Sequence, residues 1–433
     1  MNIQGGLRAR NGSEFPYAFF EEETYMTTKL MEKIFADTDY IRTGGSAEEL
    51  RAAEYLRSVC ADMGLDAYLE SFPTAMSTME EATLTVDGKE IPCKGYFLAG
   101  SGEVEAPLYY LTDGDRLSLA GCKGKIVLFD GYMGYWRYRD LWDNGAVGFI
   151  SYDGNVNYAD RDIDQRELRP YVSKGDKIPG VNINAKDAVE IVNSRAKTAK
   201  IVLKQNEYEG KSQNVIVDLP GETDEQIVFT AHYDSTSLSR GAYDNMSGCV
   251  GLLGLAEYFA SNPHRYSLRF IFCGCEEKGL MGSKSYCETH AEELGKVALV
   301  INLDMIGCIM GKFISCVTAE MPLVNYISYL GNELGFQVKA YQDVYSSDST
   351  PFADKGVPAV SFARAAGGNL APIHNRYDTV AVMKMEQMQE DIDFIAAFAS
   401  RMANAALCPV SKEIPDNLKE KLDEYLNRKR KKN

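Results

Sequence analysis

The stretch Leu268-Arg-Phe-Ile-Phe-Cys-Gly-Cys-Glu-Glu-Lys-Gly-Leu-Met-Gly-Ser283 runs from an apolar, strand-like segment through a glycine-bearing turn into a helical segment, Gly282–His290. A short apolar run bounded by turn residues and followed by a helix is the unit from which α/β sheets are built. At its turn stand two adjacent carboxylates, Glu276 and Glu277. Side by side at the end of a buried strand they repel each other unless a cation accounts for at least one of them. The pattern points to one glutamate that holds a metal and one that handles a proton.

The same alternation extends on both sides. From Asn214 to about Leu407, strands are predicted at Asn214–Val217, Gln226–Thr230, Leu268–Phe272, Ala298–Leu303, Lys312–Val317 and Ala359–Ala363. Helices are predicted at Met246–Ala260, Gly282–His290, Pro322–Leu334, Ser349–Lys355 and Met383–Ala405. That order predicts an α/β sandwich on a mostly parallel central sheet, whose ligand sites gather beyond the carboxyl ends of the strands. Upstream, Ser46–Gly64 reads as a helix: Leu50, Ala53, Leu56, Val59 and Met63 recur at helical spacing, Ser46 caps with Glu49, and Gly64 stops it. The alternating strand Ala67–Phe72 follows.

From Ser77 to about Glu207 the texture changes to short β-like runs (Ala82–Val86, Pro107–Leu111, Lys125–Phe129, Val147–Ser151) separated by Gly/Asp turns, with no histidine. This predicts a separate, mainly β module inserted into the α/β region, without metal chemistry. The expected organisation is an N-terminal extension over 1–25, a catalytic domain over 26–76 and 208–407, the insertion over 77–207, and a charged tail over 408–433. The tail is an amphipathic charged helix followed by Asn427-Arg-Lys-Arg-Lys-Lys-Asn433, read as a solvated helix end.

Taken in order, the strand ends and loops deliver chemistry-bearing residues. Gln226–Thr230 runs into Ala231-His-Tyr-Asp234, and Gly241-Ala-Tyr-Asp-Asn-Met-Ser-Gly248 opens a long helix. Ala298–Leu303 ends at Asp304, and Ile373-His-Asn-Arg-Tyr-Asp-Thr379 precedes the last long helix. Two histidines, two aspartates and a glutamate from equivalent edges of one sheet suit a dinuclear zinc-type site. Two dications in proximity need a shared anion, and Asp244 is the natural bridge. His264, in a turn, and His290, at a helix end, are read as structural.

These motifs, with Glu276–Ser283, Asn302-Leu-Asp-Met305 and His374, resemble the zinc-dependent aminopeptidase family, which includes bacterial leucyl aminopeptidases, glutamate carboxypeptidases and the inert transferrin receptors. The resemblance implies the three-layer sandwich of zinc exopeptidases. It makes the middle module, with Gly124-Lys-Ile-Val-Leu-Phe129, Asp143–Ile150 and Ile178-Pro-Gly-Val181, similar to an inserted protease-associated domain. It implies one metal on His232, Asp244 and Asp304 and a second on Asp244, Glu277 and His374, both zinc, with cobalt or manganese as substitutes. It matches Glu276 to the general base and Asp234 to the carboxylate that orients His232. Members often carry Ser-Asp-His before a Phe in the wall of the substrate pocket; here Ser347-Asp-Ser-Thr-Pro-Phe352 lacks the histidine, leaving Tyr345 and Asp348 as substrate-contact candidates.

Composition narrows the function further. The 433-residue chain is 45% hydrophobic and 25% charged, which argues for folded globular domains and against wholesale disorder. A formal net charge of −16 argues against general nucleic-acid or anionic-membrane binding, and no apolar run is long enough for a membrane span. Ten cysteines without a Cys-x-x-Cys pair fit a reducing cytoplasm. The expected activity is removal of N-terminal residues from peptides: an acidic site suits a substrate ammonium, and no arginine cluster near the motifs offers itself to a C-terminal carboxylate. A carboxypeptidase-like or other amide-hydrolysing activity is the runner-up, ahead of a glutaminyl cyclase or a receptor-like binding protein; homo-oligomerisation is left open.

Overall fold

The computed structural model describes residues 26–367 and 370–431. The expected extension over 1–25 and the last two residues of the basic tail lie outside the described residues. Helices α1 (Thr28–Asp37) and α2 (Ala47–Asp62) lead into a long strand, β1 (Ala67–Val86). The middle region supplies β2 (Lys89–Ile91), β3 (Lys94–Gly95), β4 (Gly102–Leu111), α3 (Arg116–Ala120), β5 (Ile126–Phe129), α4 (Tyr135–Asp143), β6 (Gly148–Asp153), α5 (Pro170–Ser173), β7 (Gly180–Asn184) and α6 (Ala185–Asn193). A second long strand, β8 (Thr198–Leu219), returns, followed by β9 (Thr223–His232), α7 (Ser247–Ser261), β10 (Tyr266–Cys273), α8 (Met281–Thr289), β11 (Val297–Leu303) and β12 (Lys312–Thr318). Then come α9 (Met321–Leu334), β13 (Lys339–Gln342), α10 (Ser349–Asp354), β14 (Ala359–Ala365), α11 (Met385–Ala403) and α12 (Asp416–Tyr425).

In the α/β module the strand order is β13-β12-β14-β11-β9-β10-β8, with β1 beyond β8. The central strands β14, β11, β9 and β10 are mutually parallel, while β12, β8 and β1 bring antiparallel pairings toward the edges. Successive residues of a strand face opposite sides, and the sheet sorts its apolar residues accordingly. Ile227, Phe229, Phe270, Phe272, Leu299 and Ile301 face a layer built from α1, α2, α7, α9 and α11. Val228, Ile271 and Val300 face a second layer formed by α8 and α10, through Tyr286, Cys287 and Phe352. The three-layer architecture follows from that alternation.

Two local features fix how the layers meet. Ser46 caps α2 by accepting from the Glu49 N–H, as its spacing predicts, while the Glu49 carboxylate accepts from Gly45 N (2.7 Å). Glu49 is fully buried and also accepts from Ser212 Oγ (2.9 Å) and Cys275 N (2.8 Å), tying α2 to the loop that carries the glutamate pair. At the start of α7, a Cβ on Gly248 would come within 2.3 Å of Leu303 O. Only glycine allows the helix to lie this close to the strand that ends at Asp304.

The insertion has its own core, including Leu128, Phe149, Ile150, Val181 and Ile201. Strands β4, β5, β6 and β7 pair in parallel. Parallel neighbours need crossover connections, and helices α3, α4 and α5 lie in the stretches between them. The module is therefore more α/β in character than the mainly β unit expected from its short runs, where each helix is too brief to show a periodic pattern. Nor does the chain break at 77 and 207: β1 and β8 remain paired from Ala67↔Val217 to Val86↔Ala199, through one irregularity at Met79/Glu81, and carry both modules on one ribbon.

Residues 408–431 are not a solvated tail. Helix α12 buries Leu418 and Leu422 with Ile414 and Ala353, and Tyr425 donates to or accepts from Ser346 Oγ at 2.7 Å. Beyond it, Arg428 pairs with Asp354 of α10 (2.5 Å), and Arg430 pairs with Asp140 of α4 (2.5 Å) and lies over the Trp136 ring. This segment thus bridges the two modules. Among the described residues no helix is long and apolar enough to cross a membrane.

Candidate metal centre and active-site cleft

Because β9, β10 and β11 run parallel, their carboxyl ends share one edge, with Cys273 opposite His232 and Asn302 opposite Thr230. His232, Asp234, Glu276, Glu277 and Asp304 leave from that edge. Asp244 arrives on the turn Ala242–Met246 ahead of α7, and His374 on the loop after β14.

Two groups of potential ligands result: His232, Asp244 and Asp304, and Asp244, Glu277 and His374. Asp244 stands between them. Its Oδ1 lies 3.2 Å from His232 Nε2 and its Oδ2 lies 3.0 Å from His374 Nε2. Glu277 Oε1 is 3.1 Å from His374 Nε2, and Asp304 Oδ1 is 3.9 Å from His232 Nε2. Every member is buried or nearly so except His374, whose side chain is 49% exposed. Glu277 Oε1, Asp304 Oδ1 and His232 Nδ1 are buried without a hydrogen-bond partner. Imidazole and carboxylate donors converging with orphaned oxygens fit a pair of zinc-type cations.

The electrostatics agree. Burial, reinforced by the carboxylates of Glu277, Asp348 and Asp304, drives the Glu276 carboxyl well above its usual range. Burial and then Asp244 raise Glu277, and burial raises Asp304 to about 7. His374 moves the other way from what burial alone dictates: the adjacent carboxylates of Asp244 and Glu277 push it up to about 11. Asp244, though buried, is held below the usual carboxylate range by His232 and His374. So many carboxylates in one dry place demand positive charge.

Asp234 does not coordinate in this arrangement; it positions. Its two oxygens accept from the main-chain N–H groups of Glu276 (2.9 Å) and Glu277 (3.1 Å), and Oδ1 lies 3.5 Å from His232 Nδ1. One carboxylate thereby orients the glutamate pair and faces the ligand imidazole. Asp378, quoted in the His374 run but given no role from sequence, does the same for the bridge: it accepts from Tyr243 N (2.7 Å), Asp244 N (3.3 Å) and Ser239 Oγ (3.0 Å). Arg42 carries no sequence signal. It is fully buried and donates to the carbonyls of Tyr233, Thr38, Tyr40, Arg240 and Gly241, bracketing the segments of His232 and Asp244.

The two substrate-contact candidates part company. Tyr345 lines the cleft beside Asp304 and Glu276. Asp348 is fully buried, its carboxylate held by Ser283 Oγ (2.5 Å), and it does not line the cleft. It sits on the inner side of the α10 N-terminus, so its expected contact with substrate is corrected to a role in packing the cleft wall. His264 and His290 stay outside the centre, bonded to Tyr266 O and Glu70 respectively.

The cleft itself encloses about 1290 Å³ and is lined from both modules and from the C-terminal segment. The insertion contributes Asp160, Asp162, Asp164 and Arg169, and the C-terminal end of α12 with the two residues after it contributes Tyr425, Leu426 and Asn427. The insertion is tied down across the cleft by Ser237, which donates to Asp164 Oδ1 (2.7 Å) and accepts from Gln165 N (2.7 Å).

Comparison with known proteins bears out the resemblance read from the motifs. Residues 214–399 match the model of peptidase family M28. Aminopeptidase YwaD of Bacillus subtilis (strain 168) is 28% identical over 409 residues, spanning 89% of this chain and 86% of that protein. The structure of BSAP, a zinc aminopeptidase from Bacillus subtilis, superposes with a TM-score of 0.75 at 24% identity, covering 92% of this chain and 100% of that one. The aminopeptidase from Aneurinibacillus sp. strain AM-1 superposes at 0.73 with 23% identity, covering 89% and 96%. At those identities the structures speak for the fold. Residues 214–399 thus carry the likeness to family M28 peptidases, and most of the chain is similar in sequence to a protein named an aminopeptidase and in fold to zinc aminopeptidases.

Proposed function

We propose that this protein is an aminopeptidase that hydrolyses the N-terminal residue from peptides, with two zinc ions held by His232, Asp244 and Asp304 and by Asp244, Glu277 and His374. The observation that carries this reading is the Asp244 carboxylate, which turns one oxygen to each histidine. Zinc bound there supplies Lewis-acid polarisation of the scissile carbonyl and activation of water. Glu276 takes the proton from the attacking water and returns it to the leaving amine. Asp234 keeps Glu276 and Glu277 in place through their main-chain N–H groups. Tyr345 stands on the cleft wall where it can contact the substrate. A cytoplasmic setting belongs to the same proposal, and all ten cysteines are free thiols.

The test is a substrate panel with zinc, cobalt or manganese added: aminoacyl-anilides, N-blocked peptides and peptides ending in glutamate. Aminoacyl-anilides should be cleaved and blocked peptides spared. Cleavage of blocked substrates alone overturns the aminopeptidase reading in favour of a carboxypeptidase-like activity, and metal analysis finding no bound zinc-type ion overturns the mechanism.

A further inference from the structure

Tertiary structure brings into the cleft two cations that linear sequence keeps apart. Arg169 comes from the insertion, just before α5. Its Nη2 donates to Glu277 O and its Nη1 to Tyr171 Oη (3.2 Å), while its Nε is buried without a hydrogen-bond partner. The nearest carboxylate to that Nε is Glu167, at 4.0 Å, and Glu167 is already engaged by Lys278 at 2.9 Å. Lys284 lies in the first turn of α8, eight residues after Glu276. Its ammonium donates to Gly279 O (2.8 Å), sits 5.1 Å from the centre of the Tyr171 ring, and has no ion pair among the described residues.

An ammonium has three donors, and this one uses a single carbonyl. Two half-buried cations sharing one tyrosine repel each other, and burial and Arg169 together hold the Lys284 ammonium below its usual range. Glu288, four residues along α8, does not reach it, and Asp354 is taken by Arg428. Glu276 also acts on the Lys284 ammonium, but from a distance, and among the described residues no carboxylate forms an ion pair with it. Tyr425, Leu426 and Asn427, at the start of a strap pinned through Arg428 to Asp354 on one module and through Arg430 to Asp140 on the other, wall the same cleft.

We propose that Arg169, Lys284 and Tyr171 form a carboxylate-binding subsite of the cleft beside Glu276, which receives a carboxylate of the peptide substrate. This rests on the peptidase reading and narrows its substrates to peptides carrying that group. The carboxylate has two sources, the C-terminus of a short peptide or an acidic side chain, and both present the same pair of oxygens to a guanidinium and an ammonium.

Matched substrates separate them: Leu-Gly against Leu-Gly-amide, Leu-Glu-amide against Leu-Gln-amide, and Glu- against Gln-p-nitroanilide, all with metal-loaded enzyme. One pair should show kcat/KM higher for the carboxylate member by about tenfold to a hundredfold, the worth of a charge-assisted hydrogen bond. That ratio should collapse in Lys284→Met and recover in Lys284→Arg, at unchanged metal content. Ratios near one for all three pairs, or a ratio unmoved in Lys284→Met, overturn the subsite while leaving the peptidase reading intact if leucyl-anilide is cleaved. Should no substrate be cleaved, the peptidase reading fails, and the subsite is judged by thermal shift with each acid and amide: equal stabilisation by both overturns it, and stronger stabilisation by the acid, lost in Lys284→Met, supports it.

Discussion

Replacing Asp378 by Ala tests whether the metal centre depends on the groups behind its ligands. In the folded protein Asp378 accepts from the main-chain N–H groups of Tyr243 and Asp244 and from the Ser239 hydroxyl, at 2.7, 3.3 and 3.0 Å. All four residues are buried. Truncation orphans two main-chain donors and a hydroxyl, each at about 1–3 kcal/mol if left unpaired in a dry site. A sum of that size exceeds what a turn of this length withstands in place, so the turn Ala242–Met246 should shift to find water, and Asp244 moves with it. Because Asp244 belongs to both ligand groups, both metals should weaken together, by about 10–100-fold, as when a hydrogen-bond partner behind a metal ligand is removed. The assay is chelator competition followed by metal analysis, with circular dichroism to confirm folding. Asp378→Asn, which keeps one oxygen acceptor, should fall between the two. If Asp378→Ala releases its metals at the same chelator concentration as the unmodified protein, the positioning argument is refuted.

Further outcomes follow from the same structure. Glu276→Gln should lower kcat by about 10²–10⁴-fold, the usual worth of a general base, while metal analysis shows unchanged occupancy; undiminished turnover refutes its role. Arg42→Met leaves the carbonyls of five residues without their donor and should lower unfolding stability by more than about 3 kcal/mol in urea titration, a loss far above that of an ordinary surface substitution. Asp348→Asn should leave substrate affinity unchanged, read as KM, because the side chain is buried on Ser283 rather than exposed to the cleft. The metal-stripped protein should lose thermal stability as pH rises from 5 to 8. Its buried carboxyls bind protons more tightly folded than unfolded, with Asp348, Asp378 and Asp391 at about 6 and Asp304 at about 7, so the folded state gives up more protons across that window. Zinc should raise the melting temperature most at the upper end; a melting temperature that climbs with pH in the stripped protein contradicts this.

Much of the site was readable along the chain because parallel sheets convert sequence position into spatial position. A residue just past a parallel strand lies at the same edge as its counterparts, so strand position alone gathers His232, Glu276, Glu277 and Asp304. Asp244 and His374 came from turn and loop runs of polar residues between apolar segments. Asp378 lay within one of those runs, but a carboxylate in a loop has no local mark that separates a positioning group from a turn former. Glu49 was recognised only as a capping residue, although its carboxylate reaches as far as Cys275. Asp348 was misjudged for the converse reason: polar character suggested the cleft, while a buried hydroxyl partner, Ser283, is visible only once α8 and α10 pack together.

The sequence by itself determined the alternation of strands and helices, the five candidate ligands and the glutamate pair, since each depends on periodicity, on position past a strand end or on a polar run in a turn or loop. Tertiary structure alone decided what surrounds them. That no arginine cluster stands near the motifs holds along the chain; the shared ribbon of β1 and β8 carries the insertion over the centre and sets Arg169 against Glu277. The basic tail, solvated to any local reading, becomes a strap because Asp354 and Asp140 lie on different modules at the distance its arginines span. Most of the candidate ligands are written into neighbouring strand ends, whereas the cleft walls are brought together by contacts between residues more than sixty positions apart.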